Sequence, residues 1–485
     1  MPPPLEKPDD LTTMLLPPRR ATVAGHADVV VVGGGPAGLG AAVGAAAAGA
    51  DVVLAERYGF LGGNATVALV MPLMSWHNEV RRARGQGVED PLRLLPTDHG
   101  EGDPVIAGTL LRLMNELLRR GGALAPSEET GYTVPIDPEI YKLTFLDLLD
   151  DAGVRYLLHV TASGIVQDDG SGAGVVLEGK SGPLVLTAPV VVDATGDGDV
   201  AAAAGAEYEI GRERDGLTQP MTLMFRMVGF DRGRFGAYVA ERPDQWRGVY
   251  GLWELIEQAR EAGELDLPRE DILFFATPHE GELSVNSTRV AGVRGTDVHD
   301  LTRAEWVTRR QMDQVARFLQ RRVPGFERSY AVQSGTQVGV RESRRILGDY
   351  VLTANDVLRA RRFEDVIARG SYPIDIHDPR GRGTMLRRLP DGGSYEIPLR
   401  CLIPRGVDRI LTAGRCISGT HEAHSSYRVT PIAMATGQAA GVCGALAARS
   451  GRLPRQVPSS EVQEELLRQG AILAHEPTVH HDPSP

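Results

Sequence analysis

The sequence predicts an α/β protein in which a parallel-sheet nucleotide domain carries an inserted α+β domain. Four stretches make the prediction. Residues 28–57 read as a strand, a glycine turn, a helix and a second strand ending on an acid. Residues 190–199 read as another buried strand, delivering glycines and acids to its carboxyl end, where ligands bind in such sheets. Residues 206–398 lose that rhythm and hold most of the tryptophans, and a further strand meets a turn at residues 409–414.

The opening unit is the most informative. Asp28 and the four valines after it form an apolar run of strand length. Gly33, Gly35 and Gly38 follow in G-x-G-x-x-G spacing, which supplies a tight turn, backbone access to a pyrophosphate and close helix–strand packing. Pro36 suits the first helical turn, where a missing N–H costs nothing. Ala37 and the small residues after it, with Gly40, Gly44 and Gly49, make a slim helix whose N-terminus can hold a phosphate. Residues 52–54 form the second strand. It ends at Glu56, 18 residues beyond Gly38, where a dinucleotide site places a carboxylate on a ribose diol.

The remaining elements follow in order. Residues 1–26 are a proline-rich arm, expected to drape over the surface or a neighbouring subunit. Gly62, Gly63, Asn64, Ala65 and Thr66 are small enough to let backbone approach a cofactor. Residues 81–104, charged and rich in Gly and Pro, read as a loop. Apolar residues from Ile106 to Leu118 recur at helical spacing and stop at Gly121. Asp137 caps a helix with Pro138 in its first turn, and Gly153 closes it before a strand at residues 154–158. Two apolar runs near residues 175–177 and 184–186, separated by glycines, suggest an antiparallel excursion. Asp193, Asp197 and Asp199 raise a metal reading, but no histidine or further carboxylate stands nearby, so a tight turn is preferred. In the insertion, Thr302 and Glu305 form a capping box opening a helix that runs to Pro324 and Gly325. A small-residue helix begins near Pro431, and residues 451–485 form a charged helical piece and a polar tail. The divisions are thus residues 1–26, 27–205, 206–398, 399–450 and 451–485.

At 485 residues the chain exceeds one ordinary core. A net charge of −11 with scattered arginines argues against a nucleic-acid partner. Three separated cysteines, Cys401, Cys416 and Cys443, give no disulfide framework or zinc spacing and suit a reducing cytoplasm. No signal peptide or membrane span is expected. The expected partner is a small-molecule substrate, with a homo-oligomer left open.

Several later motifs fall in the order seen in one family. They are residues 194–199 (ATGDGD), 340–345 (VRESRR), 413–418 (AGRCIS), 428–431 (RVTP) and 435–441 (ATGQAAG). Over residues 28–446 the chain resembles the FAD-dependent oxidoreductases with a glutathione-reductase-type nucleotide domain, distantly related to fumarate reductase and succinate dehydrogenase flavoproteins. The resemblance implies a Rossmann-like FAD-binding domain with an inserted substrate domain, and a noncovalent FAD. Gly33, Gly35, Pro36, Ala37 and Gly38 would hold the diphosphate, and Glu56 and Arg57 the adenosine ribose region. Gly62, Gly63, Asn64 and Thr66 would hold the inner cofactor, and Thr195 and Gly196 a further edge. Gly414, Arg415, Ser418, Pro431 and Ile432 would meet the flavin. Reduced flavin carries negative charge near N1, which a helix N-terminus stabilises.

The implied activity is hydride transfer between flavin N5 and a small polar metabolite, anionic if arginines face it. A flavin oxidase or monooxygenase, or a flavin-bearing electron-transfer subunit, is the alternative. His421, just before the flavin-facing helix, is the first choice as acid or base, with structural bonding an equal reading. Arg341 and Arg428 are candidates to clamp a carboxylate or developing negative charge. Arg344 and Arg345 read as internal ion pairs. His424, His377 and His77 are secondary candidates.

Overall fold

The computed structural model describes residues 4–5, 7, 13–78, 92–96, 102–167, 173–380, 383–390 and 393–473. Most of the expected loop at 81–104 and the end of the polar tail lie outside them.

The central sheet is parallel, in the order Ile410–Thr412, Val190–Asp193, Val29–Val32, Val52–Ala55, Arg155–Leu157. Val29 pairs with Val190 on one side and Val52 on the other. All four valines of the middle strand are buried, because both sheet faces are covered. Val29 and Val31 pack with the helices, whereas Val30 and Val32 pack toward a second, four-stranded sheet. That second sheet contains the expected antiparallel pair, Ala173–Gly179 with Gly182–Ala188. Its edge is Thr22–His26, so the end of the proline-rich arm is a strand rather than a drape. Farther out the arm does lie on its own chain, with Lys7 bound to Asp297.

Helices Pro36–Ala47 and Thr430–Ser450 cross at backbone contact on one face of the sheet. A Cβ on Gly437 would lie 2.0 Å from Ala37 O, one on Gly441 2.0 Å from Ala41 O, and one on Gly40 2.2 Å from Met434 O. The small residues at these positions let two distant parts of the chain meet. Gly437→Val is therefore expected to lower stability by about 3 kcal/mol, the upper end for overpacking, read as a fall in the urea midpoint at unchanged m-value. Helix Thr430–Ser450 is long and apolar enough to cross a membrane, a span not expected from the sequence, yet 83% of its most apolar window is buried inside the protein.

The insertion has its own core. An antiparallel six-stranded sheet includes Phe225–Val228, Ile272–Ala276, Glu282–Val285 and Tyr330–Ser334. Phe235, Trp246, Phe274 and Phe326 pack between it and its helices. The long helix here is Val298–Arg322, capped by Asp297, which accepts from the N–H groups of His299 and Asp300. The capping box expected at Thr302 is thus inside the helix: Thr302 bonds back to Val298 O, and Glu305 accepts from Val338 N. Asp297 is the stronger cap and starts the helix a turn earlier. By contrast, Asp137 caps Pro138–Asp151 as expected. Ile367, Ile376, Tyr395 and Ile397 already pack into the core of the first domain, before the return placed at residue 399.

Candidate functional site

Two joined cavities lie where the sheet, the insertion and helix Thr430–Ser450 meet. The first, with about 820 Å³ of empty space, runs along the carboxyl edge of the sheet. Gly33 takes φ 105° there, and a Cβ on it would sit 2.4 Å from Ala194 O. A Cβ on Gly38 would lie 1.8 Å from Gly33 O, so this glycine shapes the turn from beneath rather than lining the cavity. Gly35, Pro36 and Ala37 line it, and Gly35 is the N-cap of a helix that no side chain caps. Its first N–H groups are left for a ligand.

Glu56 and Arg57 also line this cavity. Glu56 accepts from Gly34 N at 2.5 Å and Tyr58 N at 2.9 Å. Burial raises its pKa against the lowering effect of those two bonds. Each carboxylate oxygen retains a second lone pair for a hydroxyl donor. Gly63 and Asn64 line the wall, whereas Gly62, with φ 113°, and Thr66 support it. Thr66 Oγ1 donates to Leu61 O at 2.8 Å, tying the small-residue loop into its turn.

At the other end stand Thr195, Gly196, Gly414 and Arg415. Arg415 donates to Asp197 Oδ1 at 2.8 Å and to Ser343 Oγ at 3.0 Å. A side chain on Gly196 would strike that guanidinium, with Cβ 2.9 Å from its Nη2. The aspartates of residues 193–199 are used internally. Asp193 accepts from Thr195 N, Thr195 Oγ1 and Ala201 N, and burial raises its pKa to about 6.

The second cavity has about 1290 Å³ of empty space. Asn64, Val340, Arg415, Arg428 and Thr430 line both cavities, so the two communicate there. Arg341, Asp375, His377, Tyr372 and Thr222 line the second one, opposite apolar residues that include Met224, Leu273 and Phe275. Arg341 Nη1 donates to Pro220 O at 2.7 Å and Thr222 Oγ1 at 2.6 Å. Burial, and then neighbouring Arg428, bring its pKa down to about 9, which leaves it cationic at neutral pH.

Asp375 Oδ2 accepts from Tyr372 Oη at 3.0 Å and lies 3.6 Å from His377 Nε2 and 3.9 Å from Arg428 Nη2. Burial alone would raise the carboxyl pKa, but His377, Arg428 and Tyr372 outweigh it and hold the group ionised below its usual range. His377 moves to about 4, mainly through burial and then Arg341, against the pull of Asp375. At neutral pH it is a neutral imidazole able to accept a proton. Arg428 Nε is buried without a hydrogen-bond partner, as is Asn286 Oδ1 on the same cavity wall.

His421 is not at either cavity. It is buried, with Nδ1 2.8 Å from Glu342 Oε1. Glu342 also accepts from Arg345 Nη1 at 2.7 Å and Gln219 N at 3.0 Å, whereas His421 Nε2 is buried without a partner. The side chain is claimed by a buried carboxylate, the structural bonding that the sequence reading weighed equally. His424 is fully buried, and His77 bonds backbone oxygens of Asn78 and Tyr132. Arg344 pairs with Asp199 and Arg345 with Glu342, as expected. Ser418 and Ile432 are buried and line neither cavity, whereas Pro431 lines the second.

The residue missed as first choice is His377. Strand Ile374–His377 alternates, with Ile374 and Ile376 in the core and Asp375 and His377 on the cavity side. That period-two pattern was its signal.

The first cavity suits the FAD that the resemblance implies. It pairs a glycine turn with an uncapped helix N-terminus at one end. At the other, helix Thr430–Ser450 begins after Val429, again without a side-chain cap. A geranylgeranyl bacteriochlorophyll reductase-like protein from Thermoplasma acidophilum is 15% identical with a TM-score of 0.46, over 92% of this chain and 84% of its own. The p-nitrophenol 4-monooxygenase PnpA from Pseudomonas putida DLL-E4 is 12% identical with a TM-score of 0.43, over 92% of this chain and 85% of its own. No curated protein matches the sequence. The model of the FAD dependent oxidoreductase family matches residues 28–466, and the chain belongs to that family.

Proposed function

We propose that this protein oxidises or reduces a small anionic metabolite held in the second cavity, by hydride transfer to or from FAD in the first. One observation carries the reading: the chamber holding Arg341, Arg428 and His377 opens into the cofactor cavity across Asn64, Arg415 and Thr430. Bound FAD supplies the two-electron chemistry. The chain's own groups supply the rest.

Gly33, Gly35, Pro36 and Ala37 hold the diphosphate, and Glu56 the ribose. Gly414, Arg415 and the start of helix Thr430–Ser450 attend the ring. Pro431 has no N–H to give, so Thr430, which lines both cavities, is the residue of that first turn placed to donate. Arg341 and Arg428 fix the substrate anion. His377 takes or returns the substrate proton, with Thr384 Oγ1 3.2 Å from its Nδ1 and Asp375 3.6 Å from its Nε2. A chamber of this size favours a small-molecule substrate over electron transfer to a protein partner alone.

The purified protein is expected to be yellow, and to release FAD on denaturation. Anaerobic bleaching by a donor supports oxidation of substrate, and reoxidation of reduced protein by an acceptor supports reduction. A folded protein that stays colourless when FAD is added overturns the proposal.

A further inference from the structure

We infer that the substrate carries a single carboxylate on an apolar body, of the aromatic or alkenyl carboxylate class, rather than two carboxylates. The inference rests on the reading of the second cavity as the substrate site. It follows from how charge and apolar surface divide that wall.

The charged groups there are Arg341, Arg428, Arg415 and Asp375, with His377 neutral at neutral pH, and Arg415 is already paired with Asp197 at 2.8 Å. Asp375 balances one guanidinium, leaving one positive charge. The hydrogen bonds of Arg341 run through Nη1 alone, and Arg428 Nε is buried without a partner. One ligand carboxylate takes up the remaining donors of Arg341 and neutralises the site. An uncharged ligand leaves a buried cation uncompensated.

A second carboxylate has no matching cation. Most of the remaining lining is apolar, including Met74, Met224, Leu273, Phe275 and Pro72. Leu273 and Phe275 come from strand Ile272–Ala276 of the insertion but turn away from its own core and pack, with Met224, against the core of the first domain. A charged group placed there would lose its hydration without a partner, whereas an apolar body gains from burial. The ligand head therefore lies toward Arg341 and Arg428, and its body toward Met224, Leu273 and Phe275.

The test titrates the FAD-loaded protein with three probes, cinnamate, fumarate and cinnamyl alcohol. Binding is read by calorimetry and by the change in flavin absorbance. Cinnamate is expected to bind at least about tenfold more tightly than either of the others, the scale of a charge-assisted hydrogen bond. Arg341→Gln should weaken cinnamate by about 10- to 100-fold and leave cinnamyl alcohol unchanged. Leu273→Gln should weaken cinnamate and leave fumarate unchanged, which keeps the test open if the arginine variant fails to fold. Fumarate binding as tightly as cinnamate overturns the inference. So does a yellow, reducible protein that binds none of the three, and that result leaves the proposed flavin chemistry standing. A colourless protein that binds cinnamate in an Arg341-dependent way does the reverse.

Discussion

Replacing His377 by glutamine is expected to lower turnover by about 10²- to 10⁴-fold, the usual contribution of a positioned acid or base, while FAD content stays the same. His377 lines the second cavity and not the first, so the loss should fall on the chemical step and not on cofactor binding. The pH dependence carries the same signature. With its pKa drawn down to about 4, the imidazole is neutral throughout the neutral range. Turnover should stay level from pH 8 to about 5 and fall as the ring protonates near 4. In the unfolded chain the same ring titrates near 6.5, so between about 6.5 and 4 the unfolded state binds protons that the folded state does not. Stability therefore declines as pH falls through that window, and Asp375, whose pKa is also lowered, adds to the decline at still lower pH. Stopped-flow absorbance and melting curves across pH separate the two effects. A glutamine variant with wild-type turnover would return the search for the proton carrier to its start.

The second large effect is structural. Glu342→Ala is expected to cost about 3–5 kcal/mol, the range for removing one partner of a buried ion pair. Arg345 and Glu342 have side chains 2% and 0% exposed. Without the carboxylate, Arg345 keeps the carbonyls of Gly419 and Gly211, and a 3.3 Å contact with Glu209, which is half in water. His421 loses its partner at the same time. The cluster sits where Tyr208–Ile210 pairs with Arg344–Ile346, the seam between the insertion and the sheet. The unfolding midpoint in guanidinium chloride is the readout. A change below about 1 kcal/mol would show that the cluster contributes specificity rather than stability.

The parts of the site legible in the sequence were those with local physical causes. Gly33 needs its φ, Gly38 needs the space over a carbonyl, and Asp137 caps the residues next to it. Each requirement is written within a few residues. The polar chamber is different, because its groups arrive from separate elements. Arg341 precedes the seam strand, Arg428 precedes the late helix, and His377 ends a hairpin strand paired with Thr384–Arg387. Nothing in the spacing of those residues brings them together. The same holds for His421: its nearness along the chain to helix Thr430–Ser450 says nothing of Glu342, 79 residues away, which binds it. Asp297 outdoing Thr302 as a cap is a smaller instance, a choice between two adequate local signals.

The crossing of Gly437 and Gly441 over Ala37 and Ala41 also sets an order of events during synthesis. The glycine turn leaves the ribosome early, but the helix that seats against it emerges some four hundred residues later. Until then the nascent N-terminal half exposes an apolar helix face with no partner, while the insertion, with a core of its own, is free to collapse first. Completion of the cofactor cleft thus waits for nearly the last helix of the chain. A message truncated before residue 430 would yield a product with half a cleft, a bare alanine surface and a short lifetime in the presence of proteases.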